Sequence, residues 1–353
     1  MEQIIRNTDS GRSSILLIYT GGTIGMRPDE KTGALVPFDF SGIYDEFPSL
    51  RRLNVDIDVH TMPKLIDSSN VKPSDWCAIA EVIRDNYLKY DGFVILHGTD
   101  TMSYTASAMS FMLENLAKPV VFTGSQIPID VLRTDGRENL ITAIEIAAAK
   151  RDGRAIVPEV SLYFQNQLFR ANRTTKHSAE QLNAFRSFNY PPLAEVGVNI
   201  EYNDTFIAPA AGDPNEPLRV ATSLDTGVAV IKIFPGISPQ IFHAMLSIYG
   251  LHAVVLETYG AGNAPTADWF GEVLREVIAR GVIVVNVTQC PDGAVAMDIY
   301  ETGRRLKEIG VICGADSTTE AAVTKLMYIL GQRLPHDTTV EMLRKAIKGE
   351  ITA

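Results

Sequence analysis

Short apolar runs alternate along the chain with longer stretches in which apolar residues recur at helical spacing. The run over residues 15–19 is too short for a helix, and its unbroken apolar character predicts a buried parallel strand. Further strands are predicted at residues 55–62, 91–97, 119–122, 160–169, 228–234, 253–256 and 282–287. Helices are predicted at residues 74–90, 102–116, 138–150, 239–249, 269–280, 319–330 and 340–347. Strands that alternate with helices in this way predict an α/β fold with largely parallel sheet.

The same pattern divides the chain into two domains. Periodicity fades over residues 199–217, and the Pro-, Ala- and Gly-rich stretch near its end is typical of a linker. We therefore expect an α/β domain over residues 1–207, a linker over 208–219 and a second α/β domain over 220–353, each with parallel sheet flanked by helices. Residues 26–37, rich in Pro, Gly and charge, predict a mobile surface loop after the first strand.

Composition excludes several classes of protein. A chain of 353 residues exceeds the usual size of one core, in agreement with two domains. A net charge of -10 argues against nucleic acid or an anionic membrane as the partner. The three scattered cysteines lack metal-ligand spacing, so free thiols in a reducing compartment are expected. Neither a signal peptide nor an apolar stretch long enough to span a bilayer is evident, and the expected location is cytoplasmic.

Polar side chains follow several of the predicted strands, where the ligands of open α/β sheets bind. Thr23 follows the first strand, the cluster Asp67-Ser68-Ser69 the second, and Thr99-Asp100 the third, while Lys176 lies in a later polar run. A threonine hydroxyl is a poor nucleophile unless a base activates it, and a lysine kept partly neutral by burial can be that base. A Thr–Lys–Asp arrangement thus suits attack on an amide carbonyl.

Each of these features also has a purely structural interpretation. The glycines before Thr23 can simply form a turn, and Asp100 or Thr101 can cap the helix that follows. The polar run over residues 170–176 can be a solvated loop. His97 precedes the turn that carries Thr99 and can serve only to orient it.

Two motifs, Tyr19-Thr20-Gly21-Gly22-Thr23-Ile24-Gly25 and His97-Gly98-Thr99-Asp100-Thr101, resemble the signatures of the bacterial-type L-asparaginases. The resemblance covers nearly the whole chain and is closest to the cytoplasmic type I enzymes. Further matching segments, in the order of the family, are residues 67–69, 123–126, 172–176, 259–263 and 314–316.

The resemblance implies hydrolysis of L-asparagine to L-aspartate and ammonia through an acyl-enzyme, without cofactor or metal. It also implies a larger N-terminal domain, a smaller C-terminal one and a homodimer or homotetramer. By position, Thr23 matches the family's nucleophile, and Thr99, Lys176 and Asp100 match its second triad. Residues Asp67, Ser68 and Ser69 match the loop that holds the substrate's carboxylate and amino ends, together with Thr99 and Asp100, and Asn263 matches a residue that reaches a neighbouring subunit's site.

The chain departs from the family pattern at two positions. Many members carry a tyrosine in the flexible loop that polarises the nucleophile, whereas residues 33–37 here contain none. We hypothesise that Tyr300 takes this role from the same or an adjacent subunit, the alternative being a packing tyrosine. Some type I enzymes bind regulatory asparagine with an arginine at the position of Glu257. A carboxylate cannot replace the donors of an arginine, so weak or absent cooperativity is expected.

Two other functions compete with an asparaginase. The related subunit of an amidotransferase that serves tRNA-dependent glutamine synthesis has a long extra N-terminal domain, for which the strand beginning at Ile15 leaves no room. A ligand-binding α/β protein without catalysis would not need Thr23, Thr99, Asp100 and Lys176 together.

Overall fold

A computed structural model of the chain describes residues 11–28, 35–37 and 43–352. Its strands are β1 (Ser13–Tyr19), β2 (Met26–Pro28), β3 (Leu35–Pro37), β4 (Val55–Thr61), β5 (Gly92–Leu96), β6 (Val120–Thr123), β7 (Lys150–Arg151), β8 (Arg154–Ala155), β9 (Val160–Phe164), β10 (Gln167–Arg170), β11 (Thr175–Lys176), β12 (Phe185–Arg186), β13 (Ala194–Val196), β14 (Ile200–Tyr202), β15 (Val228–Lys232), β16 (Ala253–Thr258), β17 (Ile283–Thr288) and β18 (Ile312–Cys313). Its α-helices are α1 (Ile43–Glu46), α2 (Pro73–Asn86), α3 (Met102–Met112), α4 (Gly136–Ala148), α5 (Pro239–Leu246), α6 (Asp268–Ala279), α7 (Glu301–Ile309), α8 (Thr319–Gly331) and α9 (His336–Arg344).

The N-terminal half is built on an eight-stranded sheet with the order β14-β13-β10-β9-β6-β5-β1-β4. Strand β1 lies between β4 and β5 and is parallel to both, with Leu17 opposite Val59 on one side and Val94 on the other. Residues 15–19 of β1 and all residues of β5 are buried, because helices cover both faces of the parallel part of the sheet. The strand ends that carry the candidate residues therefore meet at one edge of this sheet.

The C-terminal half contains a four-stranded parallel sheet with the order β15-β16-β17-β18. Helix α8 from this half packs against α3 from the N-terminal half, and the rings of Phe111 and Tyr328 stack there with centroids 6.1 Å apart. The predicted α/β class, with largely parallel sheet in two parts, is confirmed. The division at residues 208–219 stays a prediction.

Several local expectations differ from the structure. The N-terminal sheet turns antiparallel at β10, β13 and β14, and β14 lies in the stretch where periodicity fades. Helix α3 ends at Met112 because the next residue, Leu113, leaves the helix and pairs with Val220. Helix α9 begins earlier than predicted, at His336.

The segment predicted as a mobile surface loop, residues 26–37, is partly paired. Strands β2 and β3 form an antiparallel ladder in which Arg27 lies opposite Val36. Its Pro and charged residues concealed this pairing, since they are typical of loops. Gly33 and Ala34, in the part of the loop where many family members carry a tyrosine, lie outside the described residues. No helix within the described ranges is both long and apolar enough to cross a membrane.

Candidate active site

The turn after β1 carries Thr23 and is forced against two neighbouring segments. Gly21 and Gly22 adopt φ values of 125° and 90°, which side-chain-bearing residues rarely adopt. A Cβ on Gly21 would lie 2.4 Å from the carbonyl oxygen of Ile66, and one on Gly22 would lie 2.5 Å from the nitrogen of Gly98. Only glycines allow these approaches. They place the turn that carries the half-buried Thr23 against Ile66 and Gly98, the residues that precede Asp67 and Thr99.

Buried hydroxyls fix this turn from below. The Tyr19 hydroxyl donates a hydrogen bond to the carbonyl oxygen of Gly25 at 2.9 Å, and burial raises the pKa of Tyr19 to about 12. The Thr20 hydroxyl is also buried and donates to the carbonyl oxygen of Leu96 at 2.8 Å. Of the two threonines in the motif, Thr20 is thus engaged inside the protein.

The loop with Asp67, Ser68 and Ser69 begins a short 3₁₀ turn. The Asp67 carboxylate accepts a hydrogen bond from the backbone N–H of Ser69 at 3.1 Å. Asp67 and Ser69 are exposed, whereas Ser68 is buried. The Thr101 hydroxyl donates to the carbonyl oxygen of Ser68 at 2.7 Å, so it ties this loop to the start of α3.

Lys176 forms hydrogen bonds with both Thr99 and Asp100, which lie in the turn after β5. Its ammonium nitrogen, Nζ, donates to the Thr99 hydroxyl at 2.8 Å and to the Asp100 carboxylate at 2.6 Å. The side chain of Lys176 is 17% exposed and that of Asp100 63%. Because Asp100 is largely solvated, this ion pair orients Lys176 more than it stabilises the fold. The interpretation of Asp100 or Thr101 as a side-chain cap of the following helix is wrong, since no side chain makes a capping hydrogen bond at the start of α3.

Gln126 completes the surroundings of Thr99. The Thr99 hydroxyl donates to the Gln126 side-chain oxygen at 3.0 Å. The amide nitrogen of Gln126 donates to the carbonyl oxygens of Ala179 and Gln181, each at 3.3 Å, and this fixes which end of the amide faces Thr99. In the sequence, Gln126 lies in a segment that matches the asparaginases. As an uncharged amide it gave no signal of its own.

The polar run over residues 170–176 is not a solvated loop. Arg170, Arg173 and Thr174 are 6%, 2% and 0% exposed, respectively. Arg170 pairs with Glu159 at 2.7 Å, and the charge of a buried guanidinium requires such a partner. The run is an interior connection, and its last residue is Lys176.

Next to Lys176, Thr175 contacts a buried carboxylate from the C-terminal half. The Thr175 hydroxyl donates to Glu320 at 2.6 Å. Burial raises the pKa of Glu320, and the nearby Glu257 carboxylate raises it further. Glu257 itself accepts a hydrogen bond from the Thr319 hydroxyl at 2.6 Å. This region therefore contains the carboxylates of Glu257 and Glu320, and position 257 supplies no arginine.

His97 lies under the turn that carries Thr99. Its Nδ1 lies 2.8 Å from the carbonyl oxygen of Gly98, which can only accept, so Nδ1 carries the proton. Its Nε2 then accepts from the Thr105 hydroxyl at 3.0 Å, and that hydroxyl accepts from Trp76 Nε1. Burial lowers the pKa of His97 to about 4. His97 is thus a neutral, fixed support of the turn.

Asn263 and Tyr300 both lie in the C-terminal half of the chain. The side-chain oxygen of Asn263 accepts from the Thr302 hydroxyl at 2.6 Å. Tyr300 immediately precedes α7 and is 52% exposed, which is not the burial of a packing tyrosine. Among the described residues, no hydrogen bond joins either of them to Thr23 or Thr99. The described residues also contain no cluster of His, Cys, Asp and Glu suited to a metal ion.

Comparison with known proteins defines the class. Residues 14–208 match the family described as Asparaginase, N-terminal, and residues 227–343 match the Glutaminase/Asparaginase C-terminal domain. The two matches define an amidohydrolase of two α/β parts. Within that class, the chain belongs to the asparaginase family, which confirms the resemblance inferred from the motifs.

Individual relatives match along almost their entire length. L-asparaginase 1 of Escherichia coli (strain K12) is 44% identical, over 97% of this chain and 98% of that protein. The crystal structure of L-asparaginase I from Vibrio cholerae is 41% identical and superposes with a TM-score of 0.86, covering 97% of this chain and 100% of that one. The thermostable L-asparaginase from Thermococcus kodakarensis is 35% identical with a TM-score of 0.84, covering 96% and 99%.

Proposed function

We propose that the protein is an L-asparaginase, which hydrolyses L-asparagine to L-aspartate and ammonia through a threonine acyl-enzyme. The observation that carries the proposal is the hydrogen bonding of Lys176 to Thr99 and Asp100 at once, beside the turn that presents Thr23. Membership of the asparaginase family and the names of the relatives support the same substrate.

In this proposal Thr23 is the nucleophile. Its hydroxyl oxygen forms a bond to the side-chain carbonyl carbon of asparagine, and the carbonyl electron pair moves to the oxygen. The tetrahedral intermediate then re-forms its carbonyl and breaks its carbon–nitrogen bond, and the nitrogen takes up the proton that the Thr23 hydroxyl gave up in the attack and leaves as ammonia. Water cleaves the aspartyl ester, returns a proton to Thr23 and releases L-aspartate.

Thr99, Lys176 and Asp100 form the second triad. Lys176 and Thr99 are within hydrogen-bond distance and can pass a proton between water, Thr99 and the leaving group. Asp100 pairs with Lys176 through one carboxylate oxygen, and its largely exposed side chain can bind the α-amino group of the substrate. The backbone N–H groups at the start of the 3₁₀ turn at Thr99–Thr101 are suited to stabilise the developing oxyanion.

The loop of Asp67, Ser68 and Ser69 binds the α-carboxylate and amino ends of the substrate. Two of its side chains are exposed beside the Thr23 turn, and the position of the loop is fixed by Thr101. The pocket formed in this way is polar at both ends, as a small amino acid requires.

The site is completed in a homodimer or homotetramer, in which Asn263 and Tyr300 come from an adjacent subunit. Both lie on the C-terminal half, and the half-exposed ring of Tyr300 is accessible to a neighbour. The Tyr300 hydroxyl would polarise Thr23. If Tyr300→Phe turns over L-asparagine like the wild type, this role is excluded. We place the enzyme in the cytoplasm, where its three free cysteines stay reduced.

The substrate is tested by measuring ammonia release from L-Asn and L-Gln side by side. We expect a clear preference for L-Asn, since one methylene is worth about 1–3 kcal/mol in a fitted pocket. Thr99→Val, which keeps the shape of the side chain and removes its hydroxyl, should lower kcat on L-Asn. A wild-type protein that releases no ammonia from L-Asn would refute the proposal.

A further inference from the structure

The residues just before Lys176 are bound by the last described segment of the chain, residues 347–352, which we call the C-terminal segment. The Asn172 side-chain nitrogen donates to the carbonyl oxygen of Lys348 at 3.0 Å. The Arg173 guanidinium donates to the carbonyl oxygen of Gly349 at 2.7 Å and to the Thr352 hydroxyl at 3.2 Å. Residues 176 to 179 positions apart in sequence are thus in direct contact.

Asp316 joins the two sides of this contact. Its carboxylate lies 2.8 Å from the Arg173 guanidinium, whose side chain is 1% exposed. It also accepts the backbone N–H of Thr352 at 2.8 Å, and the Thr352 hydroxyl. Burial works to raise the pKa of Asp316, but hydrogen bonds from Thr352 and the Arg173 guanidinium outweigh it and hold that pKa below its usual value.

The C-terminal segment is itself held firmly on both halves of the protein. The fully buried Glu350 carboxylate accepts the backbone N–H groups of Ile347 and Lys348 and pairs with Lys325 of α8 at 2.6 Å. The Lys348 ammonium donates to the carbonyl oxygens of Leu113 and Glu114, just after α3, at 2.9 and 2.7 Å. The segment therefore offers a rigid surface to Asn172 and Arg173.

Two residues, Thr174 and Thr175, connect Arg173 to Lys176, and the side chain of each makes a hydrogen bond. Thr174 is fully buried and its hydroxyl donates to the carbonyl oxygen of Ala171 at 2.6 Å. Thr175 is held by Glu320, as described above. The backbone from Asn172 to Lys176 is thus fixed at successive residues, and the Lys176 ammonium is placed at the end of it.

We propose that Asp316, Arg173 and Thr352 are positioning residues, through which the C-terminal segment sets the placement of the Lys176 ammonium relative to Thr99. The proposal rests on the function proposed above for Lys176. None of the three residues is hydrogen-bonded or ion-paired to Thr99 or Asp100, so their effect on turnover passes through the backbone that carries Lys176. A displacement of a catalytic group by about 1 Å can lower a rate on the order of 100-fold.

The test compares Asp316→Asn, Thr352→Val and Thr352→Ser with the wild type in ammonia release and in hydrogen exchange of residues 171–177. Asp316→Asn should lower kcat about tenfold or more and change KM by less than about threefold, because the loop at residues 67–69 is untouched. Thr352→Val should lower kcat less than Asp316→Asn does. Thr352→Ser should keep kcat near that of the wild type, since serine keeps the hydroxyl. Exchange over 171–177 should rise in the same order. Asp204→Asn, which breaks an exposed ion pair with Arg151, is the control and should change neither.

Unchanged kcat and unchanged exchange in both Asp316→Asn and Thr352→Val would overturn the proposal. An equal loss of kcat in Thr352→Ser and Thr352→Val would also overturn it, because the hydroxyl would then be irrelevant. If Asp316→Asn does not fold, the two Thr352 variants decide. A wild type that releases no ammonia from L-Asn contradicts the proposed function instead, and the exchange measurement still tests the placement of residues 171–177.

Discussion

The Lys176 ammonium donates a hydrogen bond to the Thr99 hydroxyl oxygen at 2.8 Å, across 77 positions of sequence. Since the hydroxyl proton of Thr99 points to Gln126, its oxygen keeps one lone pair for a further donor. A second N–H of Lys176 donates a hydrogen bond to the Asp100 carboxylate. Thr99 and Lys176 therefore share a hydrogen bond in the resting site, along which a proton can pass once substrate or water arrives.

Removing the Lys176 charge should impair chemistry more than binding. We expect Lys176→Met to lower kcat on L-Asn by a factor of about 10²–10⁴, which is the usual contribution of a general acid–base group. The measurement is steady-state ammonia release. Lys232→Met, at an exposed position of β15, is the matched control and should behave like the wild type. A normal kcat for Lys176→Met would remove Lys176 from the mechanism.

Gln126 should matter because it holds the proton of Thr99. Gln126→Leu leaves that proton without its acceptor, and we expect kcat to fall about tenfold while KM changes little. Gln332→Leu is a matched control, since Gln332 also donates to two carbonyl oxygens, those of Ser223 and Tyr328, but far along the chain at the end of α8. Equal activity of the two variants would mean that Gln126 is only a structural residue.

The buried, neutral His97 should make stability depend on pH. Its pKa is about 4 in the folded protein against 6.5 for the free side chain, so the unfolded chain binds more protons between these values. Stability should therefore fall as pH drops from 6.5 to 4, by on the order of 3 kcal/mol from this residue.

The His97 effect is measured as the urea midpoint at pH 7 and pH 4.5 for wild type and His97→Gln. The variant should be less stable at pH 7 and should lose less on acidification. Comparison with the variant is needed because Glu320, whose pKa is raised by burial, gains protons on folding and acts in the opposite direction. Identical pH dependence of the two proteins would show that His97 is not the group that titrates.

The region of Glu257 should not support regulation by asparagine. A ligand carboxylate there would meet the carboxylates of Glu257 and Glu320, and the pKa of Glu320 is already raised by burial and by Glu257. We expect a hyperbolic dependence of rate on L-Asn concentration. A clearly sigmoidal curve would contradict this expectation, and Glu257→Arg would then show whether position 257 takes part.

The parallel core of the fold could be predicted from sequence because its signals are local. Strands β1 and β5 contain unbroken apolar runs, which are typical of strands buried on both faces. The antiparallel edge at β13 and β14 could not be predicted from sequence. These are three-residue strands with exposed positions, and their pairing is decided by neighbours distant in sequence.

The candidate site shows the same limit. Thr23, Thr99, Asp100 and Lys176 were proposed from motifs, but only the structure places Lys176 within hydrogen-bond distance of the other triad members. The burial of Arg173 could not be predicted, because its counter-charge, Asp316, comes from the other half of the chain. A run of charged residues is typical of a solvated loop until such a partner is known.

The central claim is that Thr23 is the nucleophile, and ammonia release from L-Asn by wild type, Thr23→Ala and Thr23→Ser tests it most directly. Thr23→Ala has no hydroxyl to form the ester, so we expect its kcat to fall by at least about 10³ while its melting temperature stays close to that of the wild type. Thr23→Ser keeps a hydroxyl and should retain measurable turnover. If Thr23→Ala releases ammonia at the wild-type rate, Thr23 is not the nucleophile and the account is wrong.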